Sequence, residues 1–395
     1  MTTEAKAHGL DGTLVEPDWP PLTLDEARAL LSHFPAIAEP TAILSVSPRP
    51  FSAASVVSTQ KGRVFIKRHH RTVRDAEGLL EEHRFLQHLH AHGAPVPLVF
   101  ATPSGQTAIE SGEWTYEVHE IPAGIDIYQD ALSWTPFQSA AHAHSAGQAL
   151  AHLHQAAQSF TAPRRHPRPL VAGFTIFASN NPAFDFNNYL AARPSLANDP
   201  VTRSACDEAL DLLAPFHAEL QPLLPSLPSL WTHNDLHASN LFWSDVTPDA
   251  QATAIIDFGL ADRTCAIHDI AHAIERNIVE WLALTQDPVN DNTVPIHLDH
   301  LHALLAGYES IRPLSREEAA ALAPIAALCH AEFALTEADY FLGVLHSPEK
   351  GRLATEGYLV AHARWFHSSR GQTLLNALRT WASAHPRPTQ GAQPI

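Results

Sequence analysis

Lysine is almost missing from this chain. Of 395 residues only Lys6, Lys61, Lys67 and Lys350 are lysines, and 25 basic residues face 42 acidic ones, a formal net charge of −17 with the 27 histidines neutral. That balance excludes a general nucleic-acid binder, which needs a clustered positive excess against the phosphate backbone. A small anionic ligand stays open, because a bound divalent cation reverses the local field. Cysteine is scarce as well: Cys206, Cys265 and Cys329 are odd in number and far apart, with no CxxC pair, as reduced thiols of a cytoplasmic protein are. No run approaches the roughly 18 apolar residues of a membrane span; the best, around 319–329, is interrupted by Pro324. The first residues lack the apolar stretch of a secretory signal, so the expectation is a soluble cytoplasmic protein without membrane partners. What is present, 45% hydrophobic and 17% charged residues, suffices for a globular fold of two or three domain-sized units.

Thr23 and Glu26 form a capping-box pattern ahead of Ala27, Leu30 and Leu31, predicting a first helix over 23–34. Strand-like runs follow at 42–46, 55–58 and 64–67, the last after the turn signal Lys61-Gly62. A helix is predicted over 75–92, stopped by Gly93 and Pro95, then strands over 106–110 and 115–120. From about 125 the texture turns alanine- and leucine-rich, with helical runs at 138–158, 204–224, 267–284 and 315–343 and proline-rich loops between them. One hairpin, 241–243 with 254–257, interrupts these helices. The predicted class is α+β with two lobes: a leader and helix at 1–40, a small β-rich lobe at 41–121, a larger helical lobe at 122–385 and a frayed tail at 386–395.

The chemistry concentrates at His233-Asn-Asp-Leu-His-Ala-Ser-Asn240, before the hairpin, and Asp257-Phe-Gly259, at its end. Phosphoryl transfer needs a carboxylate to orient the attacking hydroxyl, and a carboxylate with an amide oxygen for the metal that bridges nucleotide phosphates. Asp235, Asp257 and Asn240 supply that set, with His233 and Asp235 as the candidate catalytic residues. The five-residue step from Asp235 to Asn240 lets one turn bring both side chains to one phosphate. Upstream, Val64-Phe-Ile-Lys67 ends a strand. In the helix that follows, Leu79, Leu86 and Leu89 share a stripe at about 100° per residue, and Glu82 falls inside it while Glu77 and Glu81 point away. A carboxylate on an apolar face needs a partner, and Lys67 is the expected one. Phe65, on the same strand face as Lys67, can lie against an adenine ring.

These features resemble the aminoglycoside phosphotransferase and choline kinase family, distant relatives of protein kinases. The likeness rests on Lys67, Glu82, Tyr116-Glu-Val-His-Glu-Ile-Pro-Ala-Gly124, Ala151-His-Leu-His154, the 233–240 loop, and Ile256-Asp-Phe-Gly-Leu-Ala-Asp262 followed by His268-Asp-Ile-Ala271. The resemblance implies a two-lobed protein-kinase-like fold that uses ATP and Mg2+. In it Asp235 is the catalytic base, Asn240 and Asp257 the Mg2+ ligands, Lys67 the α/β-phosphate contact, Glu120 and Ile121 the backbone edge that meets adenine, and Asp269 the brace of the catalytic loop. One segment departs from the family pattern. Where a glycine-containing phosphate loop belongs, Ser47-Pro-Arg-Pro-Phe-Ser-Ala-Ala-Ser55 has no glycine, leaving backbone amides and the Ser52 hydroxyl as the expected phosphate contacts.

The resemblance points to a small hydroxylated acceptor: an amino-alcohol, a hydroxy amino acid or an aminoglycoside-like molecule. Ala306-Gly-Tyr-Glu-Ser-Ile-Arg-Pro-Leu314 is similar to a segment of homoserine-kinase-type members. Leu80-Glu-Glu-His83 supports the alternative of a stress-type Ser/Thr protein kinase, and the glycine-free loop a third, a catalytically silent scaffold. Glu275, Glu280, Glu332, Glu337 and Asp339 form either a pocket for a cationic acceptor or a solvated helix face. His268-Asp-Ile-Ala-His272 has the spacing of a zinc motif but with Asp for Glu, and such pairs arise by chance among this many histidines. His297, His300 and His302 are expected on solvated faces.

Overall fold

A computed structural model describes residues 17–47, 49–286 and 293–385; the predicted tail at 386–395 lies outside them. The first helix, Leu24–Leu31 (α1), has its capping box in place: Thr23 Oγ1 accepts from the Glu26 N–H and the Glu26 carboxylate accepts from the Thr23 N–H. Five antiparallel strands follow, Pro40–Val46 (β1), Ala53–Thr59 (β2), Gly62–His70 (β3), Ala108–Ser111 (β4) and Trp114–Glu120 (β5), in the spatial order β1-β2-β3-β5-β4. Alternation gives the sheet two faces. Val57, Val64, Ile66, Tyr116 and Val118 form a small core with Leu30, Leu31 and Phe34 around α1. The other face of the central pair carries Phe65, Lys67 and His69 opposite His119, Glu117 and Thr115. The second helix, Ala76–Ala91 (α2), is capped by Asp75 and buries Leu79, Glu82, Leu86 and Leu89, the predicted stripe.

The chain crosses to the helical lobe at Gly124, whose φ of +118° suits glycine, and where a Cβ would sit 2.7 Å from the Trp243 carbonyl oxygen. Beside it Ile125 and Trp243 exchange backbone hydrogen bonds of 2.8 and 2.9 Å, so the crossing strap is fastened to the catalytic hairpin. The helical lobe contains Ala140–Ala157 (α3), Pro182–Ala191 (α4), Pro194–Ala197 (α5), Pro200–Leu220 (α6), Ala266–Ile278 (α7), Trp281–Gln286 (α8), Leu298–Glu309 (α9), Arg316–Leu328 (α10) and His330–Asp339 (α11). Between α6 and α7 lie two short antiparallel pairs, Ser229–Thr232 (β6) with Asp262–Cys265 (β9), and the hairpin Leu241–Trp243 (β7) with Ala252–Ile255 (β8).

Several expectations change. The β6–β9 pair went unpredicted because its four-residue arms are too short for periodicity to mark and pair across a long stretch of chain. The helical runs expected over 204–224 and 315–343 do include their prolines: Pro215 and Pro324 lie inside α6 and α10, since burial of the surrounding apolar faces outweighs the roughly 3 kcal/mol local cost of an interior proline. The segment Arg316–Val344 is long and apolar enough to cross a membrane by composition, yet 94% of its most apolar 18-residue window is buried inside the protein. The histidines of α9 do not share a solvated face: His300 is buried, and His297 is half-buried with its Nε2 2.8 Å from Glu280. Only His302 is exposed as expected.

That helix is driven against α3. A Cβ on Gly147 would run into the Leu304 carbonyl and lie 2.8 Å from the Tyr308 nitrogen, and a Cβ on Gly307 would meet the His144 backbone. Helix propensity alone makes Gly147→Ala stabilising by about 1 kcal/mol. The close approach reverses the sign: urea unfolding of Gly147→Ala is expected to show a loss of about 1–3 kcal/mol from overpacking.

Candidate active site

The 233–240 loop leaves β6 and is shaped by a carboxylate from α7. Asp269 is fully buried and accepts the backbone N–H groups of His233 and Asn234, both at 2.8 Å, while His154 Nε2 lies 3.0 Å from it. His154 Nδ1 in turn meets the Tyr308 hydroxyl at 2.7 Å. Burial opposes ionisation of Asp269, and the hydrogen bonds and charge of His154 and the His233 amide overcome it, holding the carboxyl below its ordinary value. Asn234 takes a left-handed φ of +64° and donates its Nδ2 to the Leu260 carbonyl at 3.1 Å. The tight turn sends Asp235 outward.

His233 does not share that exposure. Its Nε2 donates to the Ile256 carbonyl at 2.9 Å, which leaves Nδ1 to accept the Asp235 N–H at 3.2 Å. Both ring nitrogens of His233, expected beside Asp235 as a candidate catalytic residue, are therefore engaged, Nε2 with the end of the hairpin and Nδ1 within the loop. The Asp235 carboxylate is partly open to the cleft and takes a 3.3 Å contact from Arg276 Nε. Asn240 Nδ2 donates to the Asp235 carbonyl at 2.9 Å, which turns its Oδ1 outward.

Asp257 stands across from this loop at a left-handed φ of +61°, with 42% of its side chain exposed. Lys67 Nζ reaches it from β3 at 2.8 Å. Burial works against both charges, and their mutual attraction wins: the Asp257 carboxyl lies below and the Lys67 ammonium above its usual value. Glu82 is buried as its helical phase requires, but its ion pair is with Arg165, Nη2 to Oε2 at 3.7 Å. The expected Lys67–Glu82 clamp is thus replaced: Lys67 bonds directly to Asp257, and Glu82 acts on it as a nearby negative charge. Arg165 Nη1 and Arg74 Nη2 both donate to the Gly259 carbonyl at 2.8 Å, so α2 and the Asp257 turn are tied through arginines that no periodicity singles out.

The glycine-free loop holds a residue that sequence reasoning passed over. Arg49 crosses the cleft, donating from Nη1 to Ser133 Oγ at 2.9 Å and from Nη2 to Ser239 Oγ at 2.9 Å, and it feels the charges of Asp126, Asp257 and Asp235. The available signal was an arginine between two prolines in a segment that ought to carry glycine. Phe51 anchors the loop edge-on to Tyr340, ring centroids 5.2 Å apart. Ser52, the expected phosphate contact, is buried directly before β2. Glu120 ends β5, its N–H donating to the Leu98 carbonyl at 2.9 Å, and Ile121 opens the crossing strap.

The acidic residues of the helical lobe separate by partner. Glu332 accepts the N–H groups of Gly173, Thr175 and Ile176. Asp339 holds Ser195 and Arg193. Glu275 pairs with Arg276, and Glu280 with His297. Glu337 is different: it is buried, its Oε2 has no hydrogen-bond partner among the described residues, and it faces Arg276, Asp235 and Glu275. Burial pushes its carboxyl up to about 8. Trp134, Phe333 and Tyr358 surround Arg276 on the same side.

A small antiparallel lobe over a helical one, with two carboxylates, an amide and a lysine at the cleft, defines a kinase-type phosphotransferase. Residues 51–314 match the family model described as the phosphotransferase enzyme family, APH, and the chain belongs to that family. It is a kinase that moves phosphate from ATP to a small-molecule hydroxyl. Similar curated proteins include a homoserine kinase of Phenylobacterium zucineum, 27% identical over 80% of this chain and 84% of that one, and a homoserine kinase of Methylobacterium radiotolerans, 28% identical over 66% and 68%. Among solved structures, a microcompartment-associated aminopropanol kinase superposes with a TM-score of 0.57 at 18% identity, covering 88% of this chain and 99% of its own. The likeness to that structure is one of fold.

Because Asp269 is held below its unfolded value, its contribution to stability is present above about pH 4 and is lost as pH falls through the folded value. Asp269→Asn is expected to cost about 3 kcal/mol at pH 7. In urea unfolding at stepped pH, its deficit against the natural chain should shrink on acidification; a deficit independent of pH would refute the assignment.

Proposed function

We propose that Asp235, Asn240, Asp257, Lys67 and Arg49 carry out the transfer, with an acceptor that bears a cationic group near its hydroxyl. The observation that supports this most is that Asp235 and Asp257, from two separate turns, both act on Arg49, with Lys67 bonded to Asp257 from the other lobe. Asp235, oriented by Arg276, takes the proton of the acceptor hydroxyl as that oxygen bonds to the γ-phosphorus and ADP departs. Lys67 and Arg49 hold the phosphates. On ATP binding, Lys67 shares its charge between Asp257 and the phosphate oxygens, and Glu82 keeps that end of the site from becoming too positive. Phe65 and the Glu120–Ile121 edge take the adenine.

Two outward oxygens, Asn240 Oδ1 and Asp257 Oδ2, accept no hydrogen bond among the described residues, and hard oxygen donors of this kind suit Mg2+. Bound there, the ion would neutralise charge on the β- and γ-phosphate oxygens. Asp235→Asn keeps the shape of the loop and removes the base. It is expected to lower kcat by roughly 10²- to 10⁴-fold with an unchanged thermal midpoint; full turnover in this variant would overturn the assignment.

Glu337 supports the cationic acceptor. A buried carboxyl raised to about 8 is largely protonated at neutral pH, and an arriving ammonium favours its ionised form. An amino-alcohol or hydroxy amino acid offers that ammonium. The three buried, unpaired cysteines agree with a reducing, cytoplasmic setting. The acceptor KM should fall as pH rises from 6 to 9, and Glu337→Gln should raise that KM at least tenfold and flatten its pH profile while the KM for ATP stays put. An unchanged acceptor KM would remove Glu337 from the pocket.

A further inference from the structure

The sheet face that presents Lys67 also collects groups that phosphate transfer does not use. Glu117, on β5 directly opposite Lys67, is 1% exposed, and three imidazoles converge on its carboxylate. His83 Nε2 from α2 and His119 Nε2 from β5 each lie 2.7 Å from Oε2, and His69 Nε2 from β3 lies 2.8 Å from Oε1. The His83 ring is fixed from behind, its Nδ1 2.8 Å from Thr107 Oγ1. The rings of His83 and His119 stand at 79°, with centroids 5.9 Å apart. As a result His83 Nε2, His119 Nε2 and a Glu117 oxygen all fall within 4.8 Å of one another.

A lone buried carboxylate beside a lysine already has its countercharge, and three desolvated imidazoles are an expensive way to add hydrogen bonds. Two imidazole nitrogens and one carboxylate oxygen are, by contrast, the donor set of a three-ligand zinc site with an open fourth position. Imidazole donors favour zinc, copper or nickel over magnesium. Thr107 Oγ1 can accept the Nδ1–H of His83 and so fix the ring with Nε2 toward the ion, the part that outer partners of metal-bound histidines play. His119 keeps 12% of its side chain exposed, which leaves a side open for entry and for a water ligand. We propose that His83, His119 and Glu117 bind a divalent transition metal of the zinc class, with His69 holding the second carboxylate oxygen. The ion would staple α2 to β5 next to Lys67. It would be separate from the oxygen-only Asn240 and Asp257 pair. The other group with metal-ligand spacing, His297, Asp299 and His300, has an exposed carboxylate and comes from one short stretch of chain, so it serves as the control.

The test is titration of the full chain, stripped by chelator, with Co2+ and then Zn2+, under excess Mg2+ and without nucleotide. One equivalent of Co2+ should produce the visible bands of a four-coordinate, imidazole-bound ion, and one equivalent of Zn2+ should abolish them. His83→Gln and His119→Gln should each weaken binding by about 100-fold or more, whereas Asp257→Asn and His297→Gln should leave the bands intact. Absence of the bands in the natural chain would overturn the proposal without reliance on any variant. Bands that persist in folded His119→Gln, or that vanish in Asp257→Asn or His297→Gln, would overturn it as well.

Discussion

Asp269 holds a negative charge in a buried place, and the 233–240 loop is bent around it. Two consecutive backbone N–H groups, from His233 and Asn234, point at its two oxygens, which they can do only if Asn234 adopts a left-handed conformation. That bend puts Asp235 on the cleft side and lets the Asn240 amide close back on the Asp235 carbonyl. The charge is itself maintained by a chain that runs through His154 to Tyr308 on α9. The close passage of α9 against α3 at Gly147 and Gly307 is therefore part of what positions Asp235 some distance away. A buried carboxylate stripped of donors costs several kcal/mol, so loop, helix pair and charge stand or fall together.

Arginine does much of the joining between the lobes. Arg74 and Arg165 both grip the Gly259 carbonyl, and Arg49 reaches Ser133 and Ser239 from the β1–β2 loop. A guanidinium with five fixed donors can satisfy several carbonyls at once, which a lysine cannot. This is how a chain so poor in lysine keeps positive charge at the cleft. It also accounts for the loop without glycine. A glycine loop offers bare amides to phosphate, whereas here a side-chain cation, pinned by Phe51 against Tyr340, stands at the same edge of the cleft.

The parts of the site that could be read from the sequence were those set by local periodicity and short spacing. The alternation of β3 placed Lys67 and Phe65 on one face. The stripe of α2 placed Glu82 inside the protein, and the capping box started α1 where it was expected. What could not be read were partners. Helical phase says that Glu82 is buried but not that Arg165 will be nearer to it than Lys67. Ser52 was named and Arg49 passed over, because hydroxyl chemistry is visible in a sequence and reach across a cleft is not. The position of His233 in the loop does not reveal that both of its ring nitrogens are engaged in hydrogen bonds. The five acidic residues of the helical lobe were indistinguishable until their neighbours were known; Glu275 and Glu337 each leave one buried oxygen without a hydrogen bond among the described residues, but Glu275 also has Tyr358 and Arg276 as partners.

By itself the sequence determined the two-lobed α+β order and the identity of the chemical groups, because strand alternation, helix phase and a five-residue loop are properties of neighbouring residues. The near-absence of lysine made Lys67 conspicuous for the same local reason. Which charges meet was decided only by the tertiary structure: Lys67 with Asp257, Glu82 with Arg165, three histidines with Glu117. Such pairings join residues up to 190 positions apart. Their strength depends on burial and on distances of a few ångströms, and neither of these exists until the chain has folded.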